Sequence, residues 1–312
     1  MAFFLTSSQN AKRDLRGVVA TLTGLVVTYC VAVLWYVATF PDVGIRCLLP
    51  DAEPLKYGGI EIHQWIAVSG LVSDPKPKPG DQLVRLNGQK IGTFLDFVSS
   101  LESLRFAKIP PGGQLAPGSD PGELKVPPLV EVYSRDPSRP PERLVEIVYR
   151  NTHSPKPMLE NRVYVPVRPI DVSEVSVTIF WFACQLSVLA VALTSYWYRP
   201  FDLVSQNFCL MCCASMGAFV AGFHWWILAG NPLLNIPFIL CAASLPALVL
   251  NFFLVFPRES ELVRTKRHYI QIGVLGPMAL SSLLLVVTYW SSWSLNGSTT
   301  SGELNVFQKL AV

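Results

Sequence analysis

Cys209, Cys212 and Cys213 stand within five residues, and thiols so close together are one of the few patterns in this chain that could bind a metal. They lie in an apolar helix-like stretch with no histidine or carboxylate nearby, which reads as small residues packing a helix. His224, beside Trp225 and Trp226, is the one ionisable side chain near the interior of an apolar segment. Haem ligation or pH sensing is the chemistry open to it. A solvated histidine at a membrane boundary is the simpler reading. His63, His153 and His268 are each isolated. The chain has no His-Glu-x-x-His, no Gly-x-Ser-x-Gly elbow and no glycine-rich phosphate loop. No carboxylate interrupts an apolar segment, as proton-coupled transport usually requires. The sequence therefore predicts no catalytic residue, no metal and no cofactor.

The segments that hold these residues explain their poverty in chemistry. The 312 residues are 51% hydrophobic and only 15% charged, with a mean hydropathy of +0.38, whereas soluble domains carry about 25% charged residues. The deficit is local. Residues 41–174 are rich in proline and charge, and long apolar runs flank them. Five runs are long enough to cross a hydrocarbon core: Gly17–Phe40, Val175–Tyr198, Leu203–Leu228, Ile236–Phe256 and Tyr269–Trp290. The first is too long for a signal-peptide core and reads as an uncleaved anchor.

Basic residues cluster on one side of this pattern. Lys12, Arg13 and Arg16, then Arg199, then Arg258, Arg264, Lys266 and Arg267 fall where a cytoplasmic N-terminus would place the inner segments. Residues 41–174 are then extracytoplasmic, as is the tail 291–312. Trp35, Trp181, Trp226 and Trp290 mark span ends, where amphipathic rings prefer to sit. A net charge of +3 without a basic run argues against nucleic acid, and the lipid bilayer is the first partner. Only Cys47 lies outside the spans, so no internal disulfide is expected there. Cys213, Gly217 and Ala221, four apart, offer a face on which another helix can pack closely. Pro246 and Pro277 are expected to kink their spans, and Gln185, Asn207 and Asn251 to bond between helices.

Within the outer region, Ile60–Leu71 is rich in strand formers, and Asp74–Gly80 breaks regular structure. Gln82–Leu86 reads as a strand, Asn87-Gly88 as a tight turn, and Gln89–Ile91 as the returning strand. Thr93 can cap a helix whose Phe94, Phe97, Val98, Leu101 and Leu104 recur at helical spacing. Leu129–Tyr133 and Leu144–Tyr149 read as a hairpin.

The run Pro79-Gly80-Asp81-Gln82-Leu83-Val84-Arg85-Leu86-Asn87-Gly88-Gln89-Lys90-Ile91, followed by a helix and two strands, resembles a bacterial PDZ domain over residues 50–150. Gly80, Asp81, Leu83, Asn87 and Gly88 carry the likeness. Together with the five apolar runs, the resemblance gives the expected fold class, a multi-span α-helical membrane protein with an inserted α+β PDZ-like extracytoplasmic domain. It also implies peptide capture by strand addition. Tyr57, Gly58 and Gly59 would form the carboxylate loop. Ile60 and Ile62 would lie on the receiving strand Ile60–His63, and Phe97 on the helix opposite. A structural or dimerising role, as in a homodimer, is the competing use of the same fold.

The order anchor, PDZ-like domain, close-set spans, with the Leu245-Pro246 to Phe256-Pro257-Arg258 stretch, is similar to a known arrangement. It resembles the N-terminal membrane sensor region of bacterial histidine kinases of the competence and quorum-sensing type. That resemblance implies a sensory input region in the bacterial inner membrane, with phosphotransfer downstream of Val312. Val306, Phe307 and Leu310 would begin the further span a cytoplasmic kinase requires. The rival reading is a PDZ-like scaffold, or a secretion or quality-control component, that holds a peptide or protein partner.

Overall fold

The computed structural model describes residues 2–47, 59–66, 76–116, 126–133, 140–152, 160–256 and 261–297. Side chains within these ranges are described except for 2–15, 261–264, 266–268, 271 and 295–297. The chain divides into a helical unit, Met1–Ala38 with Asp171–Ser294, and a second unit built on Thr39–Ile170.

The helical unit contains α1 (Ala2–Ala38), α3 (Val172–Tyr198), α4 (Leu203–Gly222), the short α5 (Trp225–Leu228), α6 (Pro232–Val255) and α7 (Glu261–Gly297). Five of these helices are long and apolar enough to cross a membrane: Arg16–Ala38 of α1, α3, α4, α6 and Ile272–Ser294 of α7. The chain is a multi-pass membrane protein by that measure. Asp171, Asp202 and Asn231 cap the N-termini of α3, α4 and α6 with their side chains, satisfying amides that lipid cannot. Pro246 and Pro277 lie inside continuous helices.

Several span boundaries differ from the hydropathy reading, among them the ends of the first and third. The first span stops at Ala38, and Phe40 is wholly buried in the other unit. Hydropathy scores an apolar residue alike whether lipid or a protein core receives it. The third span ends at Gly222 rather than Leu228. His224, with φ −125° and ψ 27°, separates it from α5.

The second unit is a mixed sheet domain. It holds β1 (Pro41–Asp42), β2 (Ile45–Cys47), β3 (Ile60–Trp65), β4 (Gln82–Leu86), β5 (Gln89–Lys90), α2 (Phe94–Leu104), β6 (Gln114–Leu115), β7 (Leu129–Val132), β8 (Glu142–Arg150), β9 (Glu160–Pro166) and β10 (Arg168–Pro169). The main sheet runs β2-β3-β4-β8-β7-β6, with β5 on β4 and β9 on β8; β1 and β10 form a separate antiparallel ribbon. Among the described strands only β6 and β7 pair in parallel. The long β8 organises the sheet: β4 pairs with Ile147–Arg150, β7 with Glu142–Val145, and β9 with Leu144–Arg150. The sheet thus extends past residues 50–150 at both ends.

Local chemistry explains the central strands. Asn87 and Gly88 both have positive φ, 53° and 75°, the geometry of the two-residue hairpin whose twist matches its strands. On β4, Leu83, Val84 and Leu86 are all buried while Arg85 is exposed. A register shift between Leu83 and Arg85 lets consecutive residues face inward. Gly80 turns the chain with φ 90°, and Asp81 accepts the Lys78 N–H at 2.7 Å. Thr93 and Asp96 form a capping box at the start of α2: Asp96 N–H donates to Thr93 Oγ1 at 3.1 Å, and Thr93 N–H to Asp96 Oδ2 at 2.8 Å. Phe94, Phe97, Val98, Leu101 and Leu104 are then all buried on one helix face.

Candidate functional site

The candidate site is the end of the described sheet at β2. The strand expected from sequence to receive a peptide, β3, is an interior one. One edge of β3 pairs with β4 through Ile60 and Glu61, and Cys47, Arg46 and Ile45 of β2 pair opposite Ile62, Gln64 and Trp65. Ile60 and Ile62 have no solvent exposure. Gly59 is buried with φ 96°, and a Cβ on it would lie 2.6 Å from the Leu83 carbonyl oxygen, so it serves close packing against β4. Phe97 is 1% exposed and belongs to the core. Tyr57 and Gly58 lie outside the described residues.

Among the described strands β2 ends the sheet on the side of β3, and it is entered through Asp42-Val43-Gly44. This turn is built around one carboxylate. Asp42 accepts the Gly44 N–H through Oδ1 at 2.9 Å. It also takes both arms of the Arg46 guanidinium, at 2.8 and 2.9 Å, with the two side chains 17% and 13% exposed. Two parallel bonds of this kind fix direction as well as energy. The Gly44 carbonyl accepts from Ile66 N–H at 2.8 Å, and Gly44 itself has φ 72°. Val43 and Ile45 on either side are wholly buried. Pro41 and Asp42 pair with Pro169 and Arg168, and β1 packs against α2.

The turn has little reactive chemistry. Burial pushes the Cys47 thiol up, and Arg46 opposes that only in part, so the nucleophilic thiolate is suppressed. Among the described residues no three histidine, cysteine or acidic side chains are arranged to hold a metal.

In the helical unit, Cys213, Gly217 and Ala221 are all buried on α4. A Cβ on Gly217 would come within 2.6 Å of Cys241 Sγ on α6, so the small face admits a close helix neighbour. Asn251 Nδ2 donates to Asn207 Oδ1 at 2.9 Å across the same pair of helices. Tyr29 of α1 donates to the Leu234 carbonyl at 2.9 Å. His224 corrects the expectation of a solvated ring. It is 4% exposed, and its Nε2 lies 2.9 Å from Oγ1 of Thr178 on α3. The sequence places it beside two tryptophans but cannot show that a threonine 46 residues away receives it. An apolar cavity of about 570 Å³ lies between α1, α4, α6 and α7, lined by Leu22, Val26, Ala214, Leu240, Met278 and Val286 among others.

Sequence reasoning missed β2 and its turn. The available signal was Val43-Gly44-Ile45, an apolar-glycine-apolar triplet hidden by its closeness to the first span. Comparison with protein-family models, with curated proteins and with solved structures finds no match to this chain.

Proposed function

We propose that this chain is the membrane-bound input region of a signalling protein, in which a PDZ-like extracytoplasmic domain receives an extended peptide and passes the event to its flanking spans. The observation that carries this reading is the ribbon of β1 and β10. Residue Pro41 follows α1 after two residues, Pro169 precedes α3 by two, and the two pair directly. The turn that opens β2 continues from that ribbon at Asp42. A strand added along β2 would therefore act on residues covalently joined to both spans.

In this reading β2 takes the part of the receiving strand and Asp42–Ile45 that of the terminal loop, in place of Tyr57–His63. Main-chain bonds would supply affinity and the α2 side selectivity. The kinase output, as in the histidine kinases of the competence and quorum-sensing type, is the expectation attached to the resemblance. The alternative, a PDZ-like scaffold holding a partner, uses the same groove without moving the spans. A ligand shifts an arrangement only as far as it prefers one state.

The test is a distance measurement on the chain in lipid nanodiscs. Spin labels carried by non-natural residues at Gly17 and Tyr198, in α1 and α3, are followed while a library of peptides with free carboxyl ends is titrated. Sensing predicts a peptide that binds and changes the label separation. Binding with an unchanged distance would leave the scaffold, and Gly44→Val should abolish binding in either case.

A further inference from the structure

The apolar cavity of the helical unit lies at hydrocarbon depth. Its walls come from α1, α4, α6 and α7. Each lining residue is four or more positions inside the end of its span, about 6 Å or more along a helix. Of the polar groups on its walls, Ser244 gives its hydroxyl to the Cys241 carbonyl at 3.0 Å, and the Cys213 thiol stands 3.7 Å from Thr23 Oγ1. Water needs about two to four polar partners to stay in such a space, and an apolar cavity of about 150 Å³ already stays dry and takes up benzene. At about 570 Å³, this one left empty would forfeit dispersion contacts along four helices.

Its shape selects the occupant. On α6 the lining runs from Ile236 to Leu248, twelve positions or about 18 Å. Spread over that length, 570 Å³ leaves a cross-section of about 30 Å². A helix about 10–12 Å across needs roughly 80–110 Å², so a span from a second copy does not fit. A polymethylene chain, whose carbons pack about 4 Å from their neighbours, does. The wall that leaves room for it is α7. Tyr289 donates to the Ala229 carbonyl at 2.9 Å, and the Trp293 indole to the Gly230 carbonyl at 3.3 Å. These bonds tie one end of α7 to the turn before α6, while Met278 and Val286 border the gap.

We infer that this cavity is a binding site for one acyl chain of a bilayer phospholipid, which lies along α6 and fills the space between α7 and the other three helices. The headgroup stays at the interface, since the lining residues all lie deeper. The bound chain completes the packing of α7. The site does not depend on the sensory reading, because it requires only that these helices span lipid.

The experiment uses the full chain in nanodiscs of phosphatidylcholine whose acyl chain bears a mid-chain diazirine, photolysed and mapped by peptide mass spectrometry. Adducts are expected at Cys213 and Ala214, which are only 3% and 7% exposed and line the cavity. Adducts confined to outward residues such as Val191 and Leu250, 63% and 51% exposed, would overturn the inference. In Ala214→Phe, labelling of Cys213 and Cys241 should fall several-fold while that of Val191 is unchanged, and labelling at the wild-type level would count against the site. Excess palmitic acid should leave the wild-type pattern as it is. Loss of the Cys213 and Ala214 adducts to that competitor would assign the cavity to free fatty acids instead.

Discussion

In the sheet domain Ile60, Ile62, Leu83, Leu86, Leu101 and Leu144 have no solvent exposure, whereas in the helical unit Leu25, Val31, Val191, Leu250 and Leu284 are each at least half exposed. The polar groups differ as well. The sheet domain keeps ion pairs such as Arg46–Asp42 and Arg150–Glu160. The described helix contacts include Asn251 with Asn207, His224 with Thr178, and the Arg16 guanidinium donating to the Trp197 carbonyl at 2.8 Å. Apolar side chains collapse inward where water is the alternative. Where lipid surrounds the helices, large apolar residues face outward and small ones such as Gly217 take the interior contacts. One chain has thus been selected for two solvents, and burial means something different in each.

Breaking the water-driven half should have the largest effect. Leu101→Ala opens a cavity against the sheet and should cost about 2–5 kcal/mol. Hydrogen exchange on the chain in nanodiscs should show faster exchange through β4, β8 and α2 with the spans unaffected. Matched loss in both units would argue that they are not separately held.

Gly217→Leu tests the other half. Overpacking should cost about 1–3 kcal/mol, because even a Cβ meets Cys241. Gly24→Ala on α1, where an added Cβ finds nothing within 4 Å, should be close to neutral. Thermal unfolding in detergent would rank the two, and equal effects would remove the small-residue argument.

Thr93→Ala removes the α2 cap and should cost about 1 kcal/mol, seen as fraying of the Gly92–Phe97 amides. Asn251→Leu should cost less, about 0.6 kcal/mol, the average for hydrogen bonds between membrane helices. A loss above that of Thr93→Ala would mean that lipid makes such bonds dominant.

The last effect is silent at neutral pH. Burial, with Glu146 adding and Arg162 opposing, pushes the Tyr164 hydroxyl up to about 12. The unfolded chain ionises near its ordinary value of about 10. Stability from the neutral hydroxyl is therefore complete below about pH 10 and is lost as pH rises through the folded value. Urea unfolding between pH 9 and 11 should steepen this loss in wild type relative to Tyr164→Phe, and parallel curves would refute it.

What the sequence made legible was local or solvent-driven. The Asn87-Gly88 turn, the Thr93 cap and the face of α2 were readable because turn chemistry, capping and helical period act within a few residues. The five long apolar helices were readable because lipid demands length. Pairing partners were not. A three-residue strand such as β2 carries almost no pattern, and its register depends on β3. β9 escaped notice although it pairs with β8 over seven positions, since only the partner turns Arg162–Pro166 into a strand. Phe40 and His224 were misplaced for one reason: hydropathy records what a residue avoids, not which neighbour receives it. The run Val306–Leu310, read as a further span, lies outside the described residues.

The pairing of Pro41 with Pro169 has an evolutionary consequence. Both chain ends of the sheet domain leave from one small ribbon, so everything between them is an insertion whose ends are already together. Insertions of that kind can be exchanged or lost with little disturbance to their host. A different domain spliced in at the ribbon would leave α1 and α3 joined through the same ends, and lineages could replace the inserted domain while keeping the helices that flank it.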